Sequence, residues 1–192
     1  MTTINSVPVA IDIIKTSNDL ALKYHAIWWL GKNKEQQAVA VLSEVLNEDN
    51  DQTALGGYPL RRQAARSLGM IANPKAIAPL IQSLNSNDLR LQEAAILALR
   101  SINDPACVPS LIEYLYGTSL SKPMEALIEA LAAFEIWEVS EVIRDYLNDS
   151  SKRIQGAAGI YFYRMTRERK YLATINSNCL LYTSDAADEH TG

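Results

Sequence analysis

The sequence predicts an all-α protein, a solenoid built from stacked helical pairs. Three observations carry that expectation. Apolar residues recur at helical spacing twice within each stretch of about thirty residues. The stretches superimpose on one another when the sequence is shifted along itself. No strand alternation or hairpin turn signal competes with them.

The repeats are explicit in residue identities. A shift of 31 carries Leu60, Ala64, Leu68, Ile71, Pro74, Ile77, Leu80 and Leu84 onto Leu91, Ala95, Leu99, Ile102, Pro105, Val108, Leu111 and Leu115. A further 32 brings Leu99, Ile102, Leu111 and Leu115 to Leu131, Phe134, Ile143 and Leu147, and another 31 carries Leu131 and Phe134 to Phe162 and Met165. Backwards, a shift of 38 relates Leu60, Ala64, Leu68 and Leu80 to Leu22, Ala26, Leu30 and Leu42.

Taken in order, the elements begin with a short helix around 8–16, after Pro8. Five pairs follow, at 19–47, 59–86, 89–118, 122–149 and 152–176. Within the second and third pairs the break reads Asn73–Pro74 and Asp104–Pro105. Asn or Asp caps a helix start and proline fits its first turn, so each dipeptide opens the second helix of its pair. Alanines at 64 and 95 permit close helix packing. The unit is shorter than the roughly 40–47 residues of ordinary HEAT or armadillo repeats and suits a compact HEAT-like pair. The expected architecture is an α-solenoid of HEAT-like helical pairs wound into a right-handed superhelix, one repeat domain over 1–178.

The 38-residue shift places seven extra residues between the first two repeats, within Asn47 to Pro59. This long connection ends in the stretch "LGGYPLRRQAARSLG", from Leu55 to Gly69. Two glycines, a tyrosine and a proline lead into a helix whose first turn carries Arg61 and Arg62. A helix N-terminus disfavours cations, so the two arginines there ask for a reason.

The tail "CLLYTSDAADE", Cys179 to Glu189, breaks the pattern and resembles translated read-through of a transposase sequencing adapter. The natural chain is expected to stop near Asn178, leaving 179–192 as a non-native or disordered tail and the solenoid short of its C-terminal cap.

Composition excludes several classes. Of 192 residues, 48% are apolar and 21% charged, and the net charge is −4, which gives no electrostatic footprint for nucleic acid. No apolar run reaches the roughly 18–20 residues needed to insert across a membrane. The two cysteines, Cys107 and Cys179, form neither a metal-ligand spacing nor a disulfide framework, as in a reducing cytoplasm. No metal site and no catalytic set is visible: His25 is the only histidine before the tail, and Cys107 aligns with Ala76 in an interior column.

What remains is a surface. Leu22, Ala26, Trp29 and Leu30 share one side of the first repeat helix and read as core, while Tyr24 and Trp28 fall on the other side and can touch at their i,i+4 spacing. The register takes that pair to Arg62 and Arg66, then to Glu93 and Leu97, then to Glu125 and Glu129. Aromatics to stack, arginines for carboxylates and glutamates to accept N–H bonds suit a planar, extended ligand bearing carboxylates. Equally, Arg62 and Arg66 could pair with acidic neighbours and the aromatics could pack on the N-terminal helix. A second column, Arg90, Lys122 and Arg153, places a cation at three helix starts and points either to an acidic partner or to three solvated side chains.

"KYHAIWWLGK" at 23–32, followed by "LGGYPLRRQAARSLG" and "KPMEALIEAL" at 122–131, resembles the E/F-type phycobiliprotein bilin lyases, and most of all their E-type subunit, over 17–175. The resemblance implies an enzyme that binds an open-chain tetrapyrrole, phycocyanobilin or phycoerythrobilin, as substrate. It joins that bilin by a thioether to a cysteine of a phycobiliprotein, typically its α subunit. The reactive thiol then belongs to the client, and no tightly bound cofactor is needed. The implied partners are the phycobiliprotein α subunit and an F-type lyase subunit, with no nucleic acid and no membrane insertion. The implied location is the cyanobacterial cytoplasm near the thylakoid surface. The implied bilin-binding residues are Tyr24, Trp28, Tyr58, Arg61, Arg62 and Arg66, with the catalytic residues left open. A non-catalytic repeat scaffold and a chromophore-detaching relative acting in phycobilisome breakdown are the alternatives.

Overall fold

In the computed structural model, residues 4–48, 52–53, 57–119 and 121–172 are described, and among them every regular element is helical. The tail from Cys179, Gly56 and Leu55 lie outside the described residues. The chain divides into two compact units, Met1–Pro123 and Met124–Gly192.

The first unit begins with α1 (Val7–Thr16), entered through Pro8 and packed on α2 (Leu20–Lys32). Three helical pairs then follow: α2 with α3 (Val39–Leu46), α4 (Pro59–Ile71) with α5 (Ile77–Ser83), and α6 (Leu89–Ile102) with α7 (Val108–Tyr116). First helices stack side by side, α2 on α4 and α4 on α6, while α3 packs on α4 and α5 on α6. The expected breaks are where the sequence puts them. Asn73 accepts from the Lys75 amide and Asp104 from the Ala106 amide, each opening a 3-10 turn (Pro74–Ala76, Pro105–Cys107) that runs straight into the second helix. Residues 72 and 103 adopt left-handed φ of 55°, which ends α4 and α6.

The stacking register is a repeated contact. A Cβ on Gly31 would meet Ser67 Cα at 2.7 Å, and one on Gly69 would meet Ala98 Cα at 2.8 Å. Gly31 and Gly69 occupy the same repeat position, and so do Ser67 and Ala98. The absent side chains let neighbouring helices touch backbone to backbone at both interfaces. Ser67 seals the first by donating its hydroxyl to the Ile27 carbonyl at 2.8 Å. Leu30, Leu42, Leu68, Leu80, Leu91, Leu99 and Leu111 are fully buried between the layers, each worth about 1.5–3 kcal/mol of apolar burial. The buried Gln92 amide is satisfied on both sides. Gln92 donates to the Leu84 and Ser86 carbonyls and accepts the Tyr114 hydroxyl at 2.7 Å.

The second unit holds α8 (Met124–Ala133), α9 (Ser140–Arg144) and α10 (Lys152–Thr166). α10 packs on α8, Phe162 and Tyr161 are buried, and the Tyr161 hydroxyl donates to the Ile136 carbonyl at 2.6 Å. Gln155 donates to the Leu147 carbonyl as Gln92 does to Leu84, two repeats earlier.

Three expectations need correction. Trp29 and Leu22 are only half-buried, and Ile27 takes the central place beside Ala26 and Leu30, because the α2–α4 contact is centred on Gly31 and Ser67. Lys122 is no free cation: its Nζ donates to the Leu115 carbonyl at 2.7 Å and to the Gly117 carbonyl, closing the C-terminus of α7 where the dipole favours it. Arg153 is bound within its own unit, to Glu125 at 3.0 Å and Glu129 at 2.8 Å, so its charge is met by two carboxylates. The repeated basic column is therefore mostly internal pairing, and only Arg90 remains exposed without a carboxylate within 4 Å among the described residues.

Candidate functional site

Three neighbouring first helices, α2, α4 and α6, carry the expected surface. On α2, Tyr24 is 38% exposed and Trp28 is half-buried. The Trp28 ring is stacked on His25 with centroids 5.4 Å apart, and Lys32 Nζ stands 4.7 Å from its centre. These contacts come from helical spacing alone, and they hold the indole away from the core side of α2. The Gly31–Ser67 and Gly69–Ala98 contacts fix the register, so Arg62 and Arg66 occupy on α4 the positions that Tyr24 and Trp28 occupy on α2. The four side chains make no hydrogen bond, ion pair or ring contact with one another among the described residues.

The entrance to α4 has a firm construction. Thr53 donates its amide to the Gly57 carbonyl at 2.8 Å, and its hydroxyl accepts from the Gly57 amide at 3.0 Å. Tyr58 follows as the cap, Pro59 fixes the first turn, and the Arg61 guanidinium lies 4.6 Å over the Tyr58 ring. Arg62 turns the other way. Its Nε and an Nη donate to the two oxygens of Asp88 at 2.6 and 2.8 Å, a bidentate pair. A Cβ on Gly57 would stand 2.5 Å from that guanidinium, so glycine leaves the room Arg62 occupies.

Asp88 gathers the whole corner. Its side chain is 2% exposed, and besides Arg62 it accepts the Tyr58 amide at 3.0 Å and the Arg90 and Leu91 amides at the start of α6. Burial alone pushes its carboxyl up; the Arg62 hydrogen bond, the Tyr58 and Leu91 amides and the Arg62 charge outweigh it and hold the pKa below its ordinary value of 3.8. Asp88 was not a candidate on sequence. Its signal is an acidic N-cap two residues before Arg90, legible locally, but its partner lies 26 residues away.

Between α4 and α6 runs a groove of about 420 Å³, lined by Arg66, Met70, Arg90, Glu93, Leu97 and the small floor of Gly69, Ala94, Ala98 and Ser101. Met70 and Leu97 are 36% and 40% exposed. Such a mixed apolar and charged groove can hold an amphipathic ligand of moderate size. The expected site thus falls into three adjoining parts. These are an aromatic pair on α2, a Tyr58–Arg61 pair at the entrance, and Arg66 in the groove, while Arg62 is engaged by Asp88. Glu125 and Glu129 lie in the second unit, bound by Arg153.

Among the described residues the one cysteine lies away from this surface. Cys107 is fully buried, and burial raises its thiol to about 11. Among the described residues no group of three or more His, Cys, Asp or Glu side chains is disposed to hold a metal ion. No described helix is long and apolar enough to cross a membrane.

The chain matches known proteins over these same helices. Residues 58–131 match the HEAT repeats model and residues 22–48 match the PBS lyase HEAT-like repeat model. It is 42% identical over 164 residues to the bilin biosynthesis protein PecE of Nostoc sp., covering 85% of this chain and 64% of that protein. It is 34% identical over 188 residues to the phycocyanobilin lyase subunit alpha of Picosynechococcus sp., covering 89% of this chain and 70% of that protein. In three dimensions it superimposes on a chain of the complex of CpcE and CpcF of phycocyanin lyase from Nostoc sp., with a TM-score of 0.78, 37% identity, and coverage of 88% of this chain and 68% of that one. The chain spans under two thirds of the length of the PecE relatives that it matches.

Proposed function

Since the chain belongs to the HEAT-repeat family of phycobiliprotein bilin lyases, of the E type, we propose that it works as the bilin-holding subunit of such a lyase. It would take an open-chain tetrapyrrole, phycocyanobilin or phycoerythrobilin, as substrate. With an F-type subunit it would present that bilin to a cysteine of a phycobiliprotein α subunit in the cytoplasm. The observation that carries this reading is the likeness to a chain of the CpcE–CpcF complex over 88% of this chain.

The surface suits the task. Addition of a thiol across a bilin double bond forms one C–S bond and passes the thiol proton to the bilin, so nothing is oxidised or reduced. The client brings the thiol. The lyase contributes orientation, which can supply a large share of the rate by converting an encounter into a held geometry. Tyr24 and Trp28 would stack on the conjugated plane, Arg66 would receive a propionate, and Arg61, supported on Tyr58, would place a cation at the mouth of the site. Arg62 would serve by holding the entrance through Asp88 rather than by meeting the ligand.

The test is co-production of this chain with an F-type subunit, a phycobiliprotein α subunit and bilin, then zinc-enhanced fluorescence of the denatured α subunit on a gel. Attachment that depends on this chain is expected. Bilin binding with an unmodified α subunit would replace attachment by scaffolding or detachment. No bilin binding at all would overturn the reading.

A further inference from the structure

We infer that the groove between α4 and α6 is a dicarboxylate clamp, in which Arg66 and Arg90 together receive the two propionates of the bilin while Met70 and Leu97 cover its apolar edge. This rests on the bilin reading and deepens it. Arg90 enters the site from a column whose other members, Lys122 and Arg153, are internally satisfied.

Arg62, Arg144, Arg153 and Arg164 each lie within 4 Å of a carboxylate. Arg66 and Arg90 line one groove with Glu93 close at hand, yet among the described residues neither forms such a pair. Two guanidinium groups sharing a cavity repel each other, and a ligand with two anionic groups relieves that repulsion. The floor is built for close approach. Gly69 lets α4 settle on Ala98, and Ala94 and Ala98 add only methyl groups. Above that floor the exposed side chains of Met70 and Leu97 form apolar walls. Glu93 leaves one acceptor for a pyrrole-type N–H. The groove therefore offers two cationic forks, one acceptor and two apolar walls within about 420 Å³, the inventory of an elongated conjugated diacid with N–H donors. Asp88 ties this clamp to the entrance, because the backbone amide of Arg90 donates to the same carboxylate that holds Arg62.

Phycocyanobilin and its dimethyl ester test this directly, titrated into the chain with an F-type subunit and read by the visible absorbance change. The unaltered protein is expected to bind the diacid about 100-fold more tightly than the diester, roughly tenfold for each charge-assisted contact. Arg66→Gln and Arg90→Gln should each lose about tenfold for the diacid and nothing for the diester, with Arg66→Lys and Arg90→Lys recovering part of the loss. Equal affinity of the unaltered protein for diacid and diester, or full diacid affinity in the Gln variants, would overturn the clamp and leave the bilin reading standing. Failure of the unaltered protein to bind either form would overturn both. The esterification arm needs no variant, so it does not depend on the substitutions folding.

Discussion

Removing the Asp88 carboxylate should unfasten the entrance to α4 and the start of α6 together. The magnitude follows from what the group touches. Asp88 accepts two charge-assisted bonds from Arg62 and three backbone amides, with its side chain 2% exposed. Breaking a buried ion pair by deleting one partner costs about 3–5 kcal/mol. Arg62 is 26% exposed and can turn to water, which favours the lower end, and loss of an N-cap adds about 1 kcal/mol. Asp88→Ala should therefore cost about 4 kcal/mol, or roughly 10 °C in Tm for a chain of this size. Arg62→Ala should cost about 2 kcal/mol, because three amides still serve the carboxylate. Denaturation followed by circular dichroism, run as a double-mutant cycle, should return a coupling of about 2 kcal/mol. A coupling under about 0.5 kcal/mol would refute the argument. The pH dependence adds a sign. A carboxyl whose folded pKa lies below its unfolded value stabilises fully above that unfolded value and loses the contribution as pH falls through the folded one. The gap between the parent and Asp88→Asn should be flat above about pH 5 and should shrink progressively as the pH falls from there through the folded pKa, which lies below the ordinary 3.8.

Three further outcomes follow from particular contacts. Gly69→Ala places a methyl 2.8 Å from the Ala98 backbone, so α4 and α6 must separate; a loss of about 1–3 kcal/mol is expected in urea unfolding. Cys107, buried and with its thiol near 11, should resist alkylation by iodoacetamide at pH 8 in the native protein and react once unfolded, as read by mass spectrometry of its peptide. Lys122→Met removes the donor from the Leu115 and Gly117 carbonyls and should destabilise the first unit by about 1 kcal/mol, read as a lower Tm.

The fold was legible because its information is local and repeated. Helical spacing, the Asn73–Pro74 and Asp104–Pro105 breaks, and the interior place of Cys107 all follow from short windows of sequence. The shift between repeats even gave the register of α4 on α2 and α6. Side-chain pairing was less legible. Arg90, Lys122 and Arg153 look alike in sequence, each a cation before a core position. In space one faces a groove, one closes a neighbouring helix end, and one is clasped by two glutamates. Nothing within a repeat distinguishes them, since the acceptors come from other segments. Trp29 was misread for a related reason. The α2–α4 contact is centred on Gly31, and an apolar stripe does not say where along its width the neighbour approaches.

The arginines at the start of α4 divide their labour, and that division has a measurable consequence. Two cations at a helix N-terminus cost about 0.3–1 kcal/mol each against the dipole. Asp88 offsets that cost for Arg62 and, through the same carboxylate, fixes the Tyr58 amide and with it the ring that supports Arg61. If the subunit works by presenting a held bilin, the entropy of ordering this entrance is spent on folding, and loosening it must be charged to binding. Asp88→Asn keeps an acceptor oxygen and the size of the side chain but discards the charge that holds Arg62. At a temperature where circular dichroism shows the variant folded, its affinity for phycocyanobilin should fall about tenfold while the absorbance of the bound bilin broadens. A folded Asp88→Asn protein with unchanged affinity and an unchanged bilin spectrum would reduce the Asp88–Arg62 pair to a support of the fold and detach the entrance from the site.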